Sequence, residues 1–131
     1  MRYTFIFLLL SVFVSCTSES TAQAQVQSGK VNVAQFEQLI AKGNVQLIDV
    51  RTPEEYKAGH LKGATNIDFY ATDFAARMKK LDANKPVLVY CAVGGRSGSA
   101  ASKLSGMGFK QIYDLQGGIR AWASQGKQVV Q

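Results

Sequence analysis

From Lys30 onward, short apolar runs alternate with segments whose apolar residues recur at every third or fourth position. That alternation predicts a parallel β-sheet covered by helices. Val45 to Val50 reads as one strand and Val87 to Tyr90 as another, the second rich in Val and Leu, as a strand buried on both faces requires. Ile112 to Leu115 reads as a third. Asn32 is placed to cap a helix that carries Val33, Phe36, Leu39 and Ile40 on one face and stops at Gly43. Thr52, Pro53 and Glu55 supply a capping hydroxyl, a proline at the first helical position and a carboxylate at the third. These form a capping box for a short helix ended by Gly59. Phe74, Met78 and Leu81 share a face of a further helix, and Pro86 interrupts the chain before the next strand. A helix is expected over Ser97 to Met107, closed by Gly108. A last helix follows the turn at Gly117 and Gly118, running through Trp122 to Gly126.

The segment ahead of Lys30 follows another logic. Arg2 precedes Tyr3 to Leu10, apolar but for Thr4, and then Ser11 to Cys16. The run is shorter than the roughly 20 residues of a spanning helix. A lone positive charge, an apolar stretch and a small residue at its end match a secretory signal peptide instead. Cys16 follows Phe13, Val14 and Ser15, which resembles the lipobox of bacterial lipoproteins. Residues 1–15 are therefore expected to be removed, Cys16 to be lipidated, and the protein to be exported to the periplasm or cell envelope on a lipid anchor. Ordinary cleavage after Ala22, Gln23 and Ala24 is the alternative. Residues 16–29, rich in Ser, Thr, Gln and Ala, read as a flexible tether, 30–127 as the folded domain and 128–131 as a tail.

A net charge of +6 raises the question of nucleic acid, but the ten lysines are dispersed from Lys30 to Lys127 and only Lys79 and Lys80 are adjacent. Such spacing makes solvated faces rather than a nucleic-acid groove, so no nucleic-acid partner is expected. A mean hydropathy of −0.03 excludes a polytopic membrane protein.

The chain has two cysteines, Cys16 and Cys91. With the first lipidated or removed, Cys91 has no intramolecular partner, and an unpaired thiol in an oxidising compartment points to chemistry. The bland alternative is an inert, buried cysteine. Position favours chemistry, because Cys91 follows a buried strand at the end where parallel sheets bind ligands. Ala92, Val93, Gly94, Gly95, Arg96 and Ser97 come next, and then a helix. Two glycines let successive amide N–H groups turn inward as an anion nest, and the helix start adds partial positive charge. Both favour the thiolate. Arg96 has the geometry to hold an anionic donor by a bidentate contact. The candidate site is therefore the nucleophile Cys91, with Ala92, Val93, Gly94, Gly95, Arg96 and Ser97 around the substrate.

Those residues carry a resemblance. Cys91, Gly94, Arg96 and Ser97 meet the pattern C-x-x-G-x-R-S of the rhodanese family of sulfurtransferases. A second family stretch is met by Asp49, Val50, Arg51, Glu55, Tyr56, Gly59, His60, Gly63, Ala64, Asn66 and Ile67, with Leu61 where isoleucine is usual. Gly108, Phe109, Leu115, Gly117, Gly118 and Trp122 meet the third. The chain thus resembles a single-domain rhodanese over Lys30 to Lys127. The resemblance implies an α/β fold of about five parallel strands flanked by helices on both faces. It also implies sulfur transfer through a Cys91 persulfide, without cofactor or metal, from a small sulfur-containing anion such as thiosulfate, or a persulfide donor, to cyanide or a thiol. A monomer is expected.

Cysteine-dependent phosphatases space cysteine and arginine by five residues, whereas four separate Cys91 from Arg96, so phosphatase or arsenate reductase activity ranks below sulfur transfer. A module that binds partners or carries sulfur is the other alternative. Ala92 and Val93 stand where some thiosulfate-using relatives carry basic residues, which leaves anion binding to Arg96 and the amides. Asp49 and Arg51 read as a local ion pair, His60 as a hydrogen-bonded structural residue, and Tyr90, Phe109 and Trp122 as core. One histidine and one cysteine in the domain make no metal set.

Overall fold

The computed structural model describes residues 28–131, so the signal segment, Cys16 and the Ala22 to Ala24 cleavage site lie outside the described residues. The chain forms β1 (Gly29–Val31), α1 (Val33–Lys42), β2 (Gln46–Asp49), α2 (Pro53–Ala58) and β3 (Thr65–Asn66). It continues with α3 (Phe74–Lys79), β4 (Val87–Tyr90), α4 (Gly95–Gly106), β5 (Ile112–Leu115) and α5 (Gly118–Ser124). All five strands are parallel, in the order β1-β5-β4-β2-β3.

Alternation along the strands divides the core into two layers. Leu88 and Tyr90 of β4 pack with Val33, Phe36 and Leu39 of α1 and Trp122 of α5. Val87, Val89 and Cys91 face the other way, onto Phe74 and Met78 of α3 and Ala100 and Leu104 of α4. Every residue of β4 is fully buried, which explains its unbroken apolar sequence. Each such side chain contributes roughly 1.5–3 kcal/mol by leaving water. The expected caps are present. Asn32 Oδ1 accepts from Gln35 N at 2.9 Å, and Thr52 and Glu55 bond reciprocally at 3.3 and 3.0 Å.

Several elements and boundaries differ from the sequence expectation. β1 and β3 are three and two residues long, too short to leave a periodic trace, and form because β5 and β2 offer them partners. Helix α4 begins at Gly95, not Ser97, since Gly94 takes the capping position at φ +119°. The fold also extends beyond 30–127 at both ends. Ser28 Oγ donates to Ile112 O at 2.7 Å and accepts from Ile112 N at 2.8 Å, so a tether reaching to residue 29 is too long. The expected tail is packed as well. His60 and Val130 exchange backbone hydrogen bonds of 2.8 Å each, and Trp122 Nε1 donates to Gln128 O at 2.9 Å.

Candidate active site

Cys91 leaves the buried end of β4 with 1% of its surface exposed. The loop that follows is aimed at its sulfur. Gly94 N–H donates to Sγ at 3.1 Å, and Ser97 Oγ lies 3.4 Å away. Burial pushes the thiol up, but the Ser97 hydroxyl and the backbone N–H groups of Ser97, Gly94 and Val93 outweigh it. The thiol is thereby held below its ordinary range, and the start of α4 adds its partial positive charge.

The loop is fixed from behind by α5. Ile119 N donates to Cys91 O at 2.9 Å and Arg120 N to Ala92 O at 3.2 Å. Gly118, at φ +60°, makes this approach possible, because a Cβ there would lie 2.5 Å from the Ala92 carbonyl and from Cys91 O. The glycine pair expected only to turn the chain therefore also supports the cysteine loop.

In front of the sulfur is an open cleft of about 330 Å³ lined by Phe69, Tyr70, Cys91, Val93, Gly95, Arg96 and Ser99. Tyr70 and Val93 are the most exposed large apolar residues among those described, at 69% and 56%. A cleft of similar size, about 340 Å³, is lined by Leu39, Lys42, Val45 and Pro86 among others and contains no thiol.

The predicted site residues thus separate by position. Val93, Gly95 and Arg96 line the mouth with Cys91. Ser97 is fully buried and touches the sulfur instead of the cleft. Gly94 offers its amide to the sulfur and otherwise faces a cleft behind the loop. Ala92 does not line the mouth, since its carbonyl is committed to α5. The sequence assigns Arg96 a bidentate contact to an anionic donor. Instead, Nη1 and Nη2 donate to Glu55 Oε2 and Oε1 at 2.7 and 2.9 Å. Hydrogen bonding to Arg96 outweighs burial and, helped by Thr52, holds the Glu55 carboxyl down to about 2. Phe69, Tyr70 and Ser99 escaped the sequence reading. Ser99 lies one turn into α4 with no special signal, and Phe69 and Tyr70 sit in an irregular loop after β3.

The remaining polar residues brace this end of the sheet. Arg51 donates to Asp49 Oδ2 at 2.7 Å and to Gly59 O at 2.6 Å, and its guanidinium stands 5.7 Å from the centre of the Tyr90 ring. Tyr90 Oη accepts from Leu61 N at 3.0 Å. His60 Nδ1 lies 3.0 Å from Tyr56 O, and its ring stacks on Tyr56 at 3.8 Å. Neither the ion pair nor the histidine lines the Cys91 cleft. Among the described residues, no group of three His, Cys, Asp or Glu side chains is arranged to hold a metal ion.

The model of the rhodanese-like domain matches residues 32–125, which contain the loop, the sheet and the supporting helices. The chain belongs to the rhodanese-like family. Among curated relatives, this rhodanese-like chain is 43% identical over 86 residues to the thiosulfate sulfurtransferase GlpE of Pseudomonas entomophila, covering 66% of this chain and 76% of that protein. Its fold is similar to that of a rhodanese-related protein from Thermoplasma volcanium. The TM-score is 0.69 at 32% identity, over 80% of this chain and 98% of the other. It is also similar to the polysulfide-sulfur transferase of Wolinella succinogenes, with a TM-score of 0.66 at 28% identity, over 79% and 78% of the two chains.

Proposed function

We propose that this protein is a sulfurtransferase that carries sulfane sulfur on Cys91. The observation that carries the proposal is a buried sulfur that accepts from Gly94 N–H at 3.1 Å, lies 3.4 Å from the Ser97 hydroxyl, is held below the ordinary thiol range and borders an open cleft. Such a cradle stabilises a thiolate, and after transfer it offers the same donors to a persulfide. With thiosulfate, the Cys91 thiolate attacks the outer sulfur, the S–S bond of the donor breaks, and sulfite leaves with the electron pair. The resulting persulfide is attacked at its outer sulfur by cyanide or a thiolate acceptor, and the Cys91 thiolate returns. Each step conserves charge and needs no oxidant. The kinship with a thiosulfate sulfurtransferase supports a donor of sulfane sulfur, without choosing among such donors.

Donor choice follows from Arg96. An incoming dianion meets a guanidinium already neutralised by Glu55, beside exposed Tyr70 and Val93. A thiol persulfide with an apolar portion fits that mouth better than thiosulfate. Intact-mass measurement on protein purified without reductant tests the proposal. A fraction heavier by one sulfur atom, with the added atom on the Cys91 peptide and removable by cyanide, is the expected result. The same fraction obtained from Cys91→Ser protein overturns it.

The proposal extends to location, with Cys16 as the lipidated amino terminus of an exported protein. Cys16→Ala is then expected to move the protein from the membrane fraction to the soluble one. An unchanged distribution with a mature chain starting at Gln25 selects ordinary cleavage.

A further inference from the structure

Lys30 on β1 and Asp114 on β5 are register partners in adjacent parallel strands, so their side chains leave the sheet on the same face. Opposite charges placed side by side in this way commonly close an ion pair. These two do not. The ion pairs among the described residues join Arg51 to Asp49, Arg96 to Glu55 and Lys127 to Glu37. Lys30 is exposed, whereas Asp114 is only 4% exposed, and its Oδ1 is buried with no hydrogen-bond partner among the described residues. Oδ2 stands 3.6 Å from where a Cβ on Gly98 would lie, so α4 covers that side of the carboxyl. Both charged residues line one cleft of about 300 Å³ behind the cysteine loop. Gly94 and Gly95 line it too, and the same Gly94 donates its N–H to Cys91 Sγ at 3.1 Å.

We propose that this cleft binds a small α-amino acid as its zwitterion, the ammonium on the Asp114 carboxylate and the carboxylate on Lys30. A buried carboxylate short of donors is costly, and an ammonium supplies both the donor and the opposite charge. Rotation about the Cβ–Cγ bond is soft in aspartate, so either oxygen can turn to the ligand. Each contact is then a charge-assisted hydrogen bond. A simple cation is repelled by Lys30 and a simple anion by Asp114, so a molecule that carries both charges is favoured over either. A divalent metal ion finds too few ligands, because no group of three His, Cys, Asp or Glu side chains is arranged for one among the described residues. The volume lies at the lower end of small-molecule sites, which restricts the ligand to a small side chain. Neither Lys30 nor Asp114 lines the Cys91 cleft, so this site is separate from the sulfur. Its occupant rests against the back of Gly94 and Gly95.

The test reads binding and not sulfur transfer. Glycine and L-alanine are titrated into the full chain, and the amide signals of Lys30, Gly94, Gly95 and Asp114 are followed by NMR. Saturable shifts at these amides are expected. Methylammonium chloride and sodium acetate, each carrying one half of the zwitterion, should bind more weakly than glycine by roughly tenfold or more. Lys30→Met and Asp114→Asn should each weaken glycine binding by a similar factor. Lys30 is exposed, so its replacement leaves the core untouched and keeps the test decisive if the Asp114 variant fails to fold. The absence of a saturable shift with both amino acids overturns the proposal. Acetate binding as tightly as glycine would make the cleft an anion site of Lys30, and methylammonium doing so would make it a cation site of Asp114. Either result overturns the proposal too, as does an unchanged glycine affinity in folded Lys30→Met protein.

Discussion

The Glu55 carboxylate grips the Arg96 guanidinium with both oxygens, at 2.7 and 2.9 Å, and Oε2 also accepts from Thr52 N at 3.0 Å. One side chain therefore closes the first turn of α2 and occupies the cation that borders the Cys91 cleft. An anionic donor has to compete with it.

Glu55→Gln should release Arg96 while keeping an amide able to cap α2. The apparent KM for thiosulfate is expected to fall several-fold, and Arg96→Ala to raise it, as judged by steady-state transfer to cyanide. A higher KM in both variants would mean that Glu55 positions Arg96 for the donor. The bond also has an acid signature. The Glu55 carboxyl is depressed from 4.5 to about 2, so its stabilisation is complete above pH 4.5 and is lost as pH falls towards 2. Because the pair is partly exposed, that contribution is on the order of 1 kcal/mol. Urea unfolding of the two proteins should differ above pH 5 and converge near pH 2.

Cys91→Ser should abolish transfer from thiosulfate to cyanide and leave the fold intact, since a hydroxyl of similar size keeps the buried contacts but forms no persulfide. Residual activity above a few thousandths, in a variant with an unchanged unfolding midpoint, would place the sulfur elsewhere.

Much of this site was readable in advance because it is local. Cys91, the two glycines, Arg96 and Ser97 are consecutive or nearly so, and the capping box of Thr52 and Glu55 spans four residues. The three longest strands carried their own apolar signal. The unseen parts depend on distance. The Arg96 to Glu55 bond joins residues 41 apart, and the Ser28 to Ile112 bonds join residues 84 apart. No spacing rule reports such pairs.

Gly118→Ala places a methyl against the Ala92 carbonyl at a positive φ. The loss of stability should be about 2–3 kcal/mol, and the cysteine loop should be displaced enough to reduce transfer at least tenfold. Gly126→Ala is the control, with a φ of +74° but nothing within 4 Å. It should cost about 1 kcal/mol and leave activity near normal. Equal activity in the two variants would remove the support role assigned to α5.

Deleting residues 128–131 should destabilise the domain by about 1–3 kcal/mol, because it strips both bonds from the His60 backbone and leaves the Trp122 N–H without Gln128 O. Chemical denaturation of the full and shortened chains measures this. A change below a few tenths would mean that water replaces the lost partners.

The parallel sheet has a directional consequence. All five strands start at one end and finish at the other, so Ser28 enters at the floor of the domain and Cys91 stands at its ceiling, about 13 Å of strand apart. Whatever is joined ahead of Ser28 is therefore attached at the floor, on the opposite end of the sheet from the sulfur. A fusion or immobilisation made through that end leaves the Cys91 cleft clear of the join.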